Sequence, residues 1–459
     1  MENILNTALK SFENCVKCGK CLSVCPSYNA TFNEFLSPRG RIRLIASEVK
    51  DELPLRISKF EQSMSTCLLC GRCADICPNG VKTGPLVIEE KNKFNKIKNE
   101  RFSIDNLALN ALKTNNRLML SSGLRLSNIF KFKNLNIPKP SGRPFILHKD
   151  LKFTADNNFL DKGDNKYKSE ANNIADRNLK SIRIEAEEHN AHNFIKDMTV
   201  GYFSGCVFNS IYPEISASTV SALNKNNISV FVPFSQSCCG LPHISSGDTA
   251  SFKELALNNA LSFKGKKLEY IVTSCASCSF SINKLYPLYF SAEEKNKTKE
   301  NERTEVLNFS KKLVDIWEFF SILKKRGINI KQGALKKELD AVFHIPCHLK
   351  NSANFIPVSK KEKLIGEAGS IIDNINGLNL KPLKHNYCCG NGGMFNMRHY
   401  AMSIDITKRK FEEINDAKPE VILTSCSGCM LSLKDQKNIE NGKNEIPVKH
   451  LIELYDKSI

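Results

Sequence analysis

Two stretches near the amino terminus, CVKCGKCLSVCP at residues 15–26 and CLLCGRCADICP at residues 67–78, repeat one spacing of cysteines. Each stretch has the form C-x2-C-x2-C-x3-C and ends with a proline. Thiolates two residues apart can surround one metal centre within a single tight loop. The spacing therefore predicts two metal sites in one amino-terminal unit, with eight candidate ligands: Cys15, Cys18, Cys21, Cys25, Cys67, Cys70, Cys73 and Cys77.

The other ten cysteines form two blocks that repeat each other. Each block has a cysteine after a predicted strand, an adjacent cysteine pair followed by glycine, and a C-x2-C turn. The blocks are Cys206, Cys238, Cys239, Cys275 and Cys278, and Cys347, Cys388, Cys389, Cys426 and Cys429. Matched cysteines lie 141, 150 and 151 residues apart. This repeat predicts two similar α/β modules packed as a pseudo-symmetric pair, with the cysteines at the carboxyl ends of strands.

The number of thiolates in each repeated block favours a centre with several metal ions. Adjacent side chains on an extended segment point to opposite faces, so a cysteine pair needs a sharp backbone turn to serve one site. Gly240 and Gly390 follow the pairs and can supply that turn. Five thiolates per module exceed the four that one zinc ion takes. Since no cysteine lies outside the four blocks, we interpret all eighteen as metal ligands rather than disulfides.

The first eight cysteines resemble those of bacterial two-cluster ferredoxins, in which the fourth cysteine of each motif ligates the other cluster. The resemblance implies one [4Fe-4S] cluster on Cys15, Cys18, Cys21 and Cys77. It implies a second [4Fe-4S] cluster on Cys67, Cys70, Cys73 and Cys25. The alternative is a pair of zinc sites, each with four thiolates.

The repeated blocks resemble the paired CCG domains of heterodisulfide reductase catalytic subunits and of several dehydrogenase iron-sulfur subunits. Those subunits belong to glycolate oxidase, D-lactate dehydrogenase and anaerobic glycerol-3-phosphate dehydrogenase. The segments SPRGRI at residues 37–42 and CCGNGGMFN at residues 388–396 are most similar to the glycolate oxidase/D-lactate dehydrogenase type.

This resemblance implies an electron-transfer subunit with no catalytic residue of its own. It would relay electrons from a flavoprotein subunit, which oxidises a 2-hydroxy acid, to a quinone or other acceptor. Its cofactors would be two [4Fe-4S] clusters, with one or two further iron-sulfur centres in the CCG domains. No Gly-rich dinucleotide fingerprint follows a predicted strand. Because both CCG blocks are complete, a heterodisulfide-reductase-like enzyme that reduces a disulfide is the alternative.

The sequence predicts a multidomain protein in which a mostly α-helical ferredoxin-type domain precedes two duplicated α/β CCG modules. The predicted domains are the two-cluster domain at 1–95, a basic, partly helical connection at 96–197, and CCG domains at 198–330 and 331–459. A helix should begin at Ser37-Pro38, with serine as its N-cap. Strands are predicted at 199–205, 228–232, 268–273, 341–345, 378–383 and 420–424, and helices at 251–264 and 401–414.

The chain is basic: 66 Lys and Arg against 48 Asp and Glu give a formal net charge of +18. Such a charge is typical of proteins that bind nucleic acid, an anionic membrane or an acidic partner. It can also come from a compositional bias, with the basic residues spread over solvent-exposed surfaces. A nucleic-acid-binding protein with structural zinc is thus a third hypothesis, although we expect no nucleic acid. With no long apolar span and no secretory leader at 1–14, we expect a cytoplasmic protein. A basic amphipathic stretch at 117–133 could lie on the inner membrane face or pack on the protein itself.

Several polar residues lie close to the cysteine blocks in sequence. His243, His344, His348 and His385 could shuttle a proton or ligate iron, or be packed neighbours of the site. Lys17, Lys20 and Arg72 lie within the first two motifs. They could stabilise the reduced state of a cluster, or be solvated loop residues.

Overall fold

The structure is a computed structural model. It describes residues 6–7, 10–52, 58–98, 109–110, 198–233, 235–291, 296–350, 372, 374–439 and 446–459. Most of the predicted connection at 96–197, including the basic amphipathic stretch, lies outside the described residues. Among the described residues, no helix combines the length and the apolar character needed to cross a bilayer.

The amino-terminal unit is helical, as its sequence predicts. Its helices are α1 (Pro26–Thr31), α2 (Pro38–Val49), α3 (Ser58–Ser65), α4 (Arg72–Asp75) and α5 (Thr83–Lys98). Short 3₁₀ turns lie at Ser11–Asn14, Lys20–Leu22 and Glu34–Leu36. Ile42 and Ile45 of α2 pack with Phe60 and Met64 of α3 in the core, so these isoleucines mark the apolar, buried face of α2.

The predicted start of α2 is confirmed. Ser37 is the N-cap, and its Oγ accepts a hydrogen bond of 3.0 Å from the Gly40 amide. Pro38 occupies the first helical turn, where its missing amide proton breaks no hydrogen bond.

The first CCG module contains a four-stranded parallel sheet of order β2-β1-β3-β4. Its strands are β1 (Thr199–Tyr202), β2 (Ser229–Phe231), β3 (Ile271–Thr273) and β4 (Leu313–Asp315). Its helices are α6 (Gly205–Ser210), α7 (Pro213–Lys225), α8 (Leu241–Ser245), α9 (Thr249–Ser262), α10 (Ala276–Phe280), α11 (Tyr286–Tyr289), α12 (Lys297–Lys312) and α13 (Ile316–Lys325). A π-helical turn, Ser281–Leu285, joins α10 to α11.

The second CCG module has the same topology, with sheet order β6-β5-β7-β8 and all strands parallel. Its strands are β5 (Gly333–His344), β6 (Ile375–Leu380), β7 (Val421–Thr424) and β8 (Val448–His450). Its helices are α14 (Cys347–Lys350), α15 (Phe395–Arg398), α16 (Tyr400–Ala417), α17 (Ser427–Ile439) and α18 (Leu451–Ser458). Both sheets place the first strand of the module beside the second and third, so the predicted duplication and α/β fold class are confirmed.

Most predicted strands lie where the sequence put them, with shifted ends. The largest difference is β5, which begins at Gly333 rather than at residue 341. The stretch between these points contains Lys336, Lys337 and Glu338, which are exposed. This part of β5 pairs with β6, with a shift in register between the two ends of the pairing. Its charged residues lack the apolar pattern that predicts a strand, so the sequence did not indicate it.

The two modules pack against each other, as the repeat predicts. Helix α7 of the first module contacts α18 of the second. Lys225 Nζ lies 3.1 Å from a carboxylate oxygen of Asp456, and the Ala276 amide donates a 3.0 Å hydrogen bond to the Ser425 carbonyl. Buried residues of both modules and of the helical unit form one continuous hydrophobic core.

Asp435 of α17 gives the fold a pH dependence. Its side chain is buried near Tyr400, and burial raises its pKa to about 7. A carboxyl whose pKa is higher in the folded state stabilises the fold fully below its unfolded pKa, and this contribution is lost as the pH rises through the folded value. We therefore expect Asp435→Asn to be more stable than the wild type at neutral and alkaline pH.

We expect this advantage of Asp435→Asn to be about 1–2 kcal/mol greater at pH 8 than at pH 6. Anaerobic urea unfolding of both proteins at the two pH values measures it, with the exposed Asp405→Asn as control. If the stability advantage of Asp435→Asn is the same at both pH values, Asp435 is already ionised at pH 6 in the folded as well as in the unfolded protein.

Candidate metal centres

The two ferredoxin-type loops share one backbone conformation. Lys17 and Leu69, each two residues after the first cysteine of its motif, have φ of 60° and 53°. Gly19 and Gly71, two residues further on, have φ of 83° and 77°. Two left-handed positions in one short loop curl the chain tightly, so the repeated sequence produces a repeated loop.

The cavity beside the first loop brings together cysteines from both motifs. It is lined by Cys15, Cys18, Cys21, Cys73 and Cys77, together with Arg39 and Thr83 among its other residues. Two hydrogen bonds between segments distant in sequence hold the chain after Cys77 against the segment before Cys15. The Asn79 side-chain amide donates to the Asn14 carbonyl over 3.0 Å, and the Lys82 amide donates to Ser11 Oγ over 2.9 Å. The fourth cysteine of the second motif thus lies with the first three of the first motif.

Cys25, the fourth cysteine of the first motif, lies near the second loop. Burial raises the pKa of Cys70 to about 12, and the neighbouring thiols of Cys25 and Cys67 contribute to the shift. Cys73 has its pKa raised by burial and by the same group of thiols. Buried thiolates so close together repel each other, and a bound cation would remove that repulsion.

Arg41 lies beside this second group. Its guanidinium is buried, with Nη1 4.0 Å from Cys25 Sγ. It donates to the Ser63 carbonyl over 2.7 Å and to Ser27 Oγ and Thr66 Oγ1 over 3.1 Å each. Among the described residues, no carboxylate forms an ion pair with it. A buried cation needs an anion, and a metal-bound thiolate at Cys25 would supply one.

In the first module, the five cysteines form a contiguous set. Cys206 Sγ lies 3.6 Å from Cys238 Sγ. Hydrogen bonds from Cys238 and Cys278 hold the pKa of Cys239 well below its usual range. Cys275 and Cys278 interact with each other, which completes the set.

The second module repeats these contacts. Cys389 Sγ lies 3.4 Å from Cys429 Sγ, in the position that corresponds to Cys239 and Cys278. Hydrogen bonds from Cys388 and Cys429 hold the pKa of Cys389 well below its usual range. Burial raises the pKa of Cys347, with Cys389 and Cys426 among the neighbours that contribute. The duplication therefore extends from the backbone to the arrangement of the thiols.

The glycine after each cysteine pair forms the predicted turn. Gly240 and Gly390 have φ of 79° and 80°. A Cβ at Gly240 would lie 2.7 Å from the Phe252 ring, and one at Gly390 would lie 2.6 Å from Thr407 Oγ1. Both the conformation and the close approach of neighbouring atoms require glycine.

The two cysteine sets meet between the modules. Cys275 Sγ lies 3.1 Å from Ser427 Oγ, and Ser277 Oγ lies 3.0 Å from Cys426 Sγ. In each contact a serine of one C-x2-C turn meets the first cysteine of the other turn, although Ser277 is the third residue of its turn and Ser427 is the second. The two sets are neighbours rather than separate sites.

The cysteines of the second module lie next to the ferredoxin-type cysteines. Cys70 is close enough to influence the pKa of both Cys347 and Cys388. Leu68 packs with Cys388 and Phe395 in a small apolar cluster. The cysteine sets thus follow one another in the order first motif, second motif, second module, first module, which differs from their order in the chain.

The four histidines near the CCG cysteines have different environments. His344 lies with Cys389 and Cys429, and the possible ligand atoms of all three lie within 4.8 Å of one another. His348 stacks on Phe280 at 4.4 Å and lies 3.1 Å from Ser277 Oγ. His243 contacts the Leu109 carbonyl over 3.0 Å, and His385 is exposed beside Tyr387.

Some site residues were missed by sequence reasoning. Arg41 belongs to the SPRGRI segment, but its buried position was not predicted. A signal existed, because Arg41 precedes Ile42 and lies one helical turn before Ile45, on the apolar stripe. Ser277 and Ser427 carry no signal in sequence, since they matter only through the packing of one module on the other.

The residues present fit iron-sulfur centres. All eighteen cysteines are free of disulfides, and nine of them are buried. Buried thiolates are soft ligands suited to iron-sulfur clusters or zinc, and five contiguous thiols in each module exceed the ligands of a single zinc ion.

Comparisons with known proteins agree with this geometry. The profile of the 4Fe-4S dicluster domain matches residues 11–81, and that of the cysteine-rich CCG domain matches residues 200–283 and 341–434. The chain is 26% identical to the probable glycolate oxidase iron-sulfur subunit of Bacillus subtilis, over 96% of this chain and 92% of that protein. It is 23% identical to one subunit of the fumarate reductase (CoM/CoB) of Methanothermobacter marburgensis, over 97% of this chain and 72% of that one. It is 26% identical to lactate utilization protein A of an Exiguobacterium strain, over 57% of this chain and 98% of that one.

The buried guanidinium of Arg41 should raise the reduction potential of a cluster bound near Cys25. We expect Arg41→Met to lower that potential by on the order of tens of millivolts, because one positive charge no longer stabilises the reduced state. Arg41→Lys keeps the charge and should retain much of the potential. Redox titration followed by electron paramagnetic resonance measures the shift.

The control for Arg41→Met is Arg43→Met, since Arg43 is exposed on the same helix. The cluster near Cys25 is identified as the one whose signal disappears in Cys70→Ser. Equal potentials in Arg41→Met and Arg43→Met would show that Arg41 has only a structural role.

Proposed function

Since the chain joins a 4Fe-4S dicluster domain to two cysteine-rich domains of the CCG family, we propose that it is the iron-sulfur electron-transfer subunit of a flavin-linked 2-hydroxy-acid dehydrogenase. The substrate class would be glycolate or D-lactate. The chain would receive electrons from a separate flavoprotein subunit and deliver them to a quinone-type acceptor.

Similarity to known proteins supports the substrate class. The glycolate oxidase subunit of Bacillus subtilis aligns over nearly the whole of both chains, so the order of domains is shared as well as the motifs. Lactate utilization protein A aligns over almost its full length. Both names refer to 2-hydroxy acids, and the 26% identity to each makes the substrate a proposal for this chain.

The observation that carries the proposal is the continuity of the cysteine sets. Cys15 and Cys77 line one cavity, and Cys25 lies with Cys70 and its neighbours. Cys70 in turn lies near Cys347. The second module then meets the first through Cys426 and Ser277. Centres held at these sets would form one path through the protein, which is the requirement for a relay of single electrons.

We propose the following ligands. Cys15, Cys18, Cys21 and Cys77 would hold one [4Fe-4S] cluster, and Cys67, Cys70, Cys73 and Cys25 would hold the other. The ten CCG cysteines would hold one or two further iron-sulfur centres. Such centres exchange one electron at a time, and the protein sets their potential through burial, nearby charge and hydrogen bonds to sulfur.

The division of labour follows from the electron count. Oxidation of a 2-hydroxy acid to a 2-oxo acid releases two electrons and two protons, which a flavin can accept together. This chain would accept the electrons singly and needs no catalytic residue for that step. The proposed location is the cytoplasm, with peripheral contact at the inner membrane face where a quinone is the acceptor.

A second candidate is a heterodisulfide-reductase-like enzyme that reduces a disulfide at a CCG centre. Two observations favour it: both modules have their full set of five cysteines, and the two sets meet at Cys275 and Cys426. The chain is also similar to a subunit of a reductase, the fumarate reductase (CoM/CoB) of Methanothermobacter marburgensis.

One experiment separates the two candidates. Anaerobic protein, reduced chemically and freed of excess reductant, is mixed with a quinone analogue or with a small organic disulfide. We expect rapid reoxidation by the quinone analogue and none above background by the disulfide. The reverse result would favour the reductase. Reconstitution with a flavoprotein encoded beside this chain, with glycolate or D-lactate as donor, then tests the substrate class.

The crossed ligand assignment predicts which variants resemble each other. Cys77→Ser should lose the same spectroscopic signal as Cys18→Ser, because both would be ligands of one cluster. Cys25→Ser should match Cys70→Ser for the same reason. Electron paramagnetic resonance of the reduced proteins, with iron and sulfide analysis, gives the comparison. If Cys77→Ser matches Cys70→Ser instead, each motif holds its own cluster.

A further inference from the structure

His344 is a buried histidine that distinguishes the second module from the first. It ends β5 three residues before Cys347, and the corresponding residue of the first module, three residues before Cys206, is Phe203. Phe203 is part of the apolar core and packs edge-on against Phe309. His344 is equally inaccessible, with 2% of its surface exposed. A histidine is a costly replacement for phenylalanine at such a site unless its nitrogens have partners.

Neither ring nitrogen of His344 has a hydrogen-bond partner of acceptable geometry within the described part of the chain. A buried nitrogen without a partner costs about 1–3 kcal/mol, so two of them require an explanation. The polar groups that interact with the ring include the thiol of Cys389 and the side chain of Asn386.

The position of the ring suggests what the missing partner is. A ring nitrogen of His344 and the sulfur atoms of Cys389 and Cys429 lie within 4.8 Å of one another, and all three residues are buried. The two sulfur atoms are 3.4 Å apart. Three potential ligands converge on one point, two of them soft thiolates and one an imidazole. This combination suits iron or zinc.

We propose that His344 supplies a nitrogen ligand to the metal centre of the second module. The two modules would then hold centres with different ligands, thiolates alone in the first and thiolates with one imidazole in the second. This inference rests on the metal centre proposed above for that module. The consequence is a difference in potential, because the type of ligand bound to a centre is one of the factors that set its reduction potential.

Such a difference gives the duplicated modules distinct roles. The second module lies nearest Cys70, and the first lies beyond it. Two centres with identical ligands would have similar reduction potentials, so an electron would favour neither of them. A nitrogen ligand on one centre makes the potentials differ, and the electron then favours the centre with the higher potential. The sequence difference between His344 and Phe203 would then be functional rather than a neutral change in a core.

The test detects the nitrogen itself. Full-length protein labelled with ¹⁵N-histidine is purified anaerobically, and pulsed electron paramagnetic resonance measures hyperfine coupling between histidine nitrogen and the paramagnetic centres. We expect one strongly coupled histidine nitrogen in the wild type. His344→Phe, which copies the first module, should lose it. The control His385→Phe, at an exposed histidine of the same module, should keep it.

Two further variants keep the outcomes separate. His344→Cys offers a thiolate at the same position and should retain the metal while losing the nitrogen coupling, which guards against misfolding of the phenylalanine variant. Cys389→Ser should lose the metal of the second module. If Cys389→Ser loses that metal but His344→Phe keeps the nitrogen coupling, the ligand inference is wrong and the proposed function is unaffected.

Metal analysis decides the remaining cases. If Cys389→Ser changes neither the metal content nor any signal, the second module holds no metal, and both the ligand inference and the cofactor proposed there are wrong. If the metal is zinc, X-ray absorption at the zinc edge detects the nitrogen ligand instead. A nitrogen lost in His344→Phe would then support the ligand inference and contradict the iron-sulfur centre of that module.

Discussion

The fold depends on bringing many thiols together in a buried interior. Burial opposes their ionisation and neighbouring thiolates would repel one another, and both effects raise the pKa of Cys70 and Cys73. A cationic centre would stabilise the thiolate form, so metal binding and folding would be coupled in this protein. The two ferredoxin-type loops and the turns after Cys239 and Cys389 have conformations set by glycine or another left-handed residue, which leaves these segments few other ways to arrange their cysteines.

The crossed placement of Cys25 and Cys77 makes the amino-terminal unit dependent on both of its motifs. The two loops are joined by hydrogen bonds between distant segments, including Asn79 to Asn14 and Lys82 to Ser11. Arg41 adds a buried positive charge beside Cys25 and is fixed by three hydrogen bonds to Ser63, Ser27 and Thr66. These fixed polar contacts order the loops of the helical unit, and bound metal would add to that order.

Duplication accounts for the shared fold of the two carboxyl-terminal modules. The residues at which the modules differ give each one a distinct environment around its cysteines. Both modules have the same sheet order and the same contact between the second cysteine of the pair and the last cysteine of the C-x2-C turn. They differ at Phe203 and His344, and Cys70 contributes to the raised pKa of Cys347 and Cys388 in the second module. Two copies of one fold can therefore occupy successive positions in a path without being equivalent.

The sequence by itself determined the local features. Cysteine spacing identified the four blocks, the repeat period identified the duplicated α/β modules, and Ser37-Pro38 marked the start of α2, because each of these depends on residues close together in the chain. The approach of the second module to Cys70, the meeting of Cys275 with Ser427, and the burial of Arg41 were decided by tertiary structure. They depend on how separate elements pack, and no pattern of neighbouring residues encodes that. The unpartnered nitrogens of His344 belong to the same class, since a histidine in sequence does not show which atoms will surround it.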